Sequence, residues 1–182
     1  MRWLVAMLPM LLAAPAVADP AFTDGGSVDA ARVIDGETLV LGDGRTLRLV
    51  DIDVPAHGAV AAAAKTALAA LIDRQPLTLK FAGNPKDRQG RVLAELYAGD
   101  RWVQGDMLRR GLARVAGTAD NRTGLAEMLA IERQARRYHR GLWAEASEAP
   151  VDAADAARRA GSFALVTGEP VGAVANGEGV VL

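Results

Sequence analysis

Gly42-Asp43-Gly44 stands between two short alternating runs, Thr38 to Leu41 and Thr46 to Ile52, and no other feature constrains the fold as strongly. Turn glycines between alternating residues predict a hairpin. In the second run Leu47 and Leu49 fall on one face while Arg48 points to the other, the signature of a half-buried strand. A further strand is expected over Val28 to Ile34, ahead of the hairpin.

After these strands the period changes. Ala59 to Asp73 is rich in alanine and leucine with no breaker inside, and Pro76 follows its end, so this segment is predicted as a helix. Leu77 to Phe81 alternates as a strand, residues 83–90 read as a loop, and Arg91 to Ala98 is the next strand. Val103 to Arg110 is a short helix closed by Gly111. Thr123 to Arg140 is a longer one with Leu125, Met128 and Leu129 at core spacing, and Glu132 and Arg136 form an expected surface pair. The order β-β-β-α-β-β-α-α fits a small Greek-key barrel with packed helices, the OB-fold class. A generic α+β sandwich competes with it.

The ends differ from the middle. Arg2, the apolar run Leu4 to Ala14 and the small-residue pattern Ala16-Val17-Ala18 read as a secretory signal peptide over residues 1–18. The apolar run is too short to cross a bilayer. Residues 19–27 read as a linker and 28–146 as the folded domain. Residues 147–182 form an extension, the start of a further β module or a truncated end. With no cysteines there is no disulfide framework and no thiolate metal site, which agrees with export to the periplasm or the medium. A monomer is expected. Between Arg32 and Trp143 there are 18 Lys and Arg against 13 Asp and Glu, so a basic centre lies within a chain of net charge −1. Such a centre suits an anionic partner. Trp102 and Trp143 read as core anchors and His139 as part of a solvated basic helix end. So few aromatics do not make a base-stacking platform.

The stretches VIDGETLVL, RTLRLVDIDVP, DRQGRVLAELY, WVQGDMLRRGLARV and ERQARRYHRGLW, in that order, resemble the staphylococcal nuclease-like (thermonuclease) domains over roughly Val28 to Trp143. The resemblance implies a five-stranded OB-fold barrel and calcium-dependent hydrolysis of DNA and RNA. In such chemistry a carboxylate-held cation contacts a phosphate oxygen, two arginines grip the same phosphate, and a further carboxylate orients or deprotonates water.

Carried over by position, the resemblance makes Arg48 and Arg91 the two arginines and Asp53 a calcium ligand. Glu37, in DGET, stands where the family usually has an aspartate ligand. Asp35 reads as structural. Val54 replaces a threonine or alanine whose backbone oxygen serves the metal, so that departure is mild. The residue after Pro55 is Ala56, where the family has its glutamate base, and alanine accepts no proton. His57 beside it is a substitute-base candidate, since histidine titrates near neutrality. Three readings follow: a domain that binds nucleic acid or other phosphodiesters with hydrolysis impaired or lost; an active calcium-dependent phosphodiesterase using His57 or water; and a non-catalytic envelope interaction module.

Overall fold

The computed structural model describes residues 22–117, 123–144, 150–161, 164–169, 174–176 and 179–181. The predicted signal peptide lies outside them. Strands β1 (Thr23–Val28), β2 (Ala30–Val33), β3 (Thr38–Leu41), β4 (Thr46–Leu49), β6 (Leu77–Phe81) and β7 (Val92–Ala98) form a sheet in the order β1-β6-β7-β4-β3-β2, with β8 (Arg101–Trp102) added to β7. The two ends of that order, β1 and β2, are separated in sequence by Asp29 alone. One bent segment therefore borders the sheet on both sides, and the sheet curls as an OB-fold does.

The β3–β4 hairpin forms around Gly44, whose φ is +86°, with Leu39 opposite Leu47 and Thr38 opposite Arg48. Leu39, Leu41, Leu47 and Leu49 are all at most 1% exposed, and they meet Leu79 and Leu96 of β6 and β7 in one core. Each buried leucine contributes roughly 1.5–3 kcal/mol relative to exposure. Helix α1 (Gly58–Ile72) covers one end of this core with Ala64, Leu68 and Leu71. Helices α2 (Val103–Arg109) and α3 (Leu125–Arg137) pack against each other and add Met107, Leu108 and Met128 to the same core.

Four sequence expectations are corrected. The linker is shorter than 19–27, because TDGGSV is strand β1, paired with β6. It carries no apolar alternation; it is held by its backbone, and a Cβ at Gly25 would sit 2.7 Å from the Phe81 ring. The strand expected over Thr46 to Ile52 is interrupted at Asp51, which takes a φ of +61°. The chain turns there into β5 (Ile52–Asp53), which pairs with β9 (Arg114–Val115) in a separate ribbon. The long helix starts at Leu125 and stops at Arg137, after Gly124 at φ +76° and before His139 at φ +49°. Glu132 is not on the surface: it is 2% exposed, accepts the Val115 N–H with one oxygen and pairs with Arg136 through the other.

In the extension, β10 (Val151–Asp152) and β11 (Val166–Thr167) pair in parallel around a 3-10 turn at Ala153–Arg159. Leu165 packs against Ala135, Leu142 and Trp143, so the extension touches the domain. Among the described residues no helix is long and apolar enough to cross a membrane.

Candidate functional site

Glu37 is held where β2 turns into β3. Its N–H donates to Asp35 Oδ1 at 2.9 Å, closing a local side-chain turn. Gly36 makes the close packing beneath it: a Cβ there would lie 2.6 Å from the Ala64 Cβ and 2.7 Å from Val54. The approach delivers the Glu37 carboxylate to Val54, whose N–H donates to Oε2 at 3.0 Å. The other oxygen, Oε1, is bound by Arg48 Nη1. That pairing follows from register, since Arg48 lies opposite Thr38, the neighbour of Glu37. Burial raises the Glu37 carboxyl above its usual range; Arg48 and the Val54 N–H oppose the rise, while Asp53 and Asp35 add to it.

Arg48 also lines a cleft of about 340 Å³, together with Arg88, Gln89, Arg91, Asp87 and Asp51. Arg91 leaves the loop at Gly90, whose φ is +78°. Asp87 organises the loop: Oδ1 accepts the N–H groups of Gln89 and Arg91, each at 2.9 Å, and Oδ2 accepts Arg91 Nε at 2.6 Å. Burial pushes the Asp87 carboxyl up, but the hydrogen bonds from Arg91 outweigh it and hold the group below its usual range. Among the described residues no hydrogen bond or ion pair engages the Nη groups of Arg91, and Arg88 has no acidic partner. The cleft thus offers guanidinium edges to an anion.

A smaller cavity of about 160 Å³ is lined by Glu37 together with Asp35, Val54, Pro55, Ala56 and Ala61. Ala56 presents only a methyl group there. His57 is the N-cap residue of α1, exposed and without a side-chain capping bond, and it lines neither cavity.

Asp53 sits on β5 directly opposite Arg114 of β9, and Arg114 Nη1 lies 3.2 Å from Asp53 Oδ2. Arg114 is 9% exposed, whereas the Asp53 side chain is about half exposed. The structure therefore brings Glu37, Arg48, Asp53 and Arg91 to one end of the curled sheet and leaves His57 aside. Arg88, Asp87 and Arg114 join them without having been singled out in the sequence. Asp87 and Arg88 carry a local signal in DRQG. Arg114 carries none, because its partner is 61 residues away in the chain.

The family model for staphylococcal nuclease homologues matches residues 46–145, more than half of the chain. The chain belongs to this family. The staphylococcal nuclease match takes in Arg48, Asp53, Ala56, His57 and Arg91, and begins after Glu37. Similar proteins include an uncharacterized endonuclease of Escherichia coli, 32% identical over 65% of this chain and 78% of that protein. A micrococcal nuclease of Shigella flexneri is 32% identical over 71% and 79%, and a thermonuclease of Staphylococcus intermedius 26% over 65% and 77%.

Nucleases of this family are generally calcium-dependent, and the donors here can be tested against that ion. Calcium takes six to eight oxygens, several of them carboxylate. Both Glu37 oxygens are already hydrogen-bonded, Asp53 faces Arg114, and Ala56, which lines the cavity beside Glu37, offers no oxygen from its side chain. Among the described residues no three His, Cys, Asp or Glu side chains gather as ligands. As arranged, these donors do not fit a divalent cation.

Proposed function

We propose that this protein is an exported nuclease-family domain that binds nucleic acid or another phosphodiester and hydrolyses it slowly or not at all. The observation that carries this reading is Ala56: a methyl group lines the acidic cavity beside Glu37, while the arginines of the adjoining cleft are in place. Arg48 and Arg91 grip a phosphate through guanidinium edges left outside their ion pairs, and those contacts strengthen as charge grows on the equatorial oxygens. Glu37 positions Arg48, and Asp87 positions Arg91. The step without a residue is activation of water. Loss of a general base costs about 10²–10⁴-fold in rate. Export to the periplasm or medium rests on the leader sequence around Arg2, Leu4 to Ala14 and Ala18.

A second reading, an active phosphodiesterase, draws support from relatives named nuclease and endonuclease. It needs another proton acceptor, and His57 is exposed at the start of α1, outside both cavities. Cleavage of denatured DNA by the purified protein and its Ala56→Glu variant separates the two. A silent parent and a cutting variant support binding with the base missing. A parent that cuts, and is silenced by His57→Ala, establishes the second reading. If neither cuts but binding persists, the domain is a binding module with a more widely altered site.

A further inference from the structure

The acids of this site are already neutralised from within the chain. Glu37 has Arg48 as its partner, and Asp53 has Arg114. The second pair is set by the fold: antiparallel β5 and β9 place Asp53 and Arg114 directly opposite each other, where side chains of one face meet. Arg114 is 9% exposed, so its guanidinium is held against the body of the domain while its partner reaches outward to solvent. β9 is itself anchored by Glu132, which accepts the Val115 N–H from the buried face of α3. A buried cation on an anchored strand keeps its place when a ligand arrives.

We propose that Arg114 is the resident cation of the Asp53 site. It supplies the positive charge that a divalent ion would otherwise bring, so the protein grips phosphodiesters without calcium, and calcium gains Asp53 only when Arg114 is removed. An anion approaching a pair of bare carboxylates is repelled unless a metal bridges them. Here it meets carboxylates that each have a guanidinium, beside Arg88 and the Nη edge of Arg91, which Asp87 holds through Nε. The inference builds on the phosphodiester-binding reading, but calcium binding tests it separately.

The experiment is calorimetric titration of calcium alone into the parent, Ala56→Glu, Ala56→Glu/Arg114→Gln and Ala56→Glu/Arg114→Lys. The third acidic group is restored so that Arg114 is the variable. The expected result is no binding tighter than about 1 mM in the parent, the weak end of natural calcium sites. The Gln double variant binds at least about tenfold more tightly than Ala56→Glu, and the charge-keeping Lys variant shows no such gain. Sub-millimolar binding by the parent, or equal affinity of Ala56→Glu and the Gln double variant, overturns the proposal; so does no binding by either.

A second measurement needs no variant. Binding of a fluorescein-labelled oligothymidylate to the parent is followed by anisotropy in chelator and in excess calcium at matched ionic strength. Equal affinity within about twofold supports Arg114 as the resident cation, and tightening by about tenfold or more overturns it. An oligonucleotide that binds under neither condition overturns the phosphodiester-binding reading, while the calorimetry still decides the role of Arg114.

Discussion

The Trp102 indole N–H donates to Glu95 Oε2 inside the domain, where Glu95 is fully buried on β7. Burial pushes the Glu95 carboxyl up to about 8 from the usual 4.5; the Trp102 hydrogen bond opposes the rise and the charge of Asp51 adds to it. A carboxyl with a raised folded pKa holds its proton more tightly in the native state. Between pH 4.5 and about 8 the unfolded chain therefore binds fewer protons, and stability falls as pH rises through that window. Glu95→Gln is expected to flatten the decline, which one proton sets at about 1.4 kcal/mol per pH unit. Urea unfolding of both proteins at several pH values across the window checks it.

Arg48 and Arg91 line the same cleft but differ in what they support. Arg91→Ala should weaken oligonucleotide binding evenly across sequences and lower the salt slope by about one, as loss of one phosphate contact does. Arg48→Ala should weaken binding too, and should also destabilise the fold by about 1–3 kcal/mol, because it leaves the buried Glu37 without its cation. Salt-dependent anisotropy and thermal melts, taken on both variants, separate the two effects.

Glu132 connects three elements: its oxygens meet the Val115 N–H of β9 and Arg136 of α3, and Arg136 stacks 4.6 Å over the Trp143 ring. Glu132→Ala is expected to cost about 2–4 kcal/mol by leaving a buried N–H and a guanidinium without an acceptor. Glu127, exposed on the same helix, should tolerate the same change within about 0.5 kcal/mol. Denaturant midpoints of the two variants give the comparison.

Gly111 closes α2 at a φ of +68°, and a Cβ there would lie 2.0 Å from the Arg140 carbonyl oxygen. The same junction carries the hydrogen bond from Leu142 N–H to Gly111 O at 2.9 Å. Gly111→Ala should destabilise by more than about 2 kcal/mol, combining left-handed strain with displacement of backbone. Gly44→Ala, also at positive φ but facing open space, should cost only the conformational part, about 1 kcal/mol. Melting temperatures of the two variants test the difference.

Local pattern carried much of the architecture. Alternation marked Thr38–Leu41 and Leu77–Phe81 to the residue, and the unbroken Ala/Leu run marked α1 within one residue at each end, because burial of one face writes itself into the period of the chain. The break at Asp51 was not legible, since a non-glycine residue at positive φ has no alternation signal and depends on the β5–β9 ribbon for support. Strand β1 was missed for the opposite reason: TDGGSV joins the sheet through backbone pairing with β6, and backbone groups are the same for every sequence.

By itself the sequence determined the strand and helix periods, the turn glycines, the family resemblance and the absence of a proton acceptor at Ala56. Only the tertiary structure decided that Glu95 is buried beside Trp102, that Glu132 anchors β9, and that Asp53 faces Arg114. The partners are 7, 17 and 61 residues apart, and no local period fixes any of these pairings. Their charges and hydrogen bonds take effect through space, and spacing along the sequence leaves that distance unspecified.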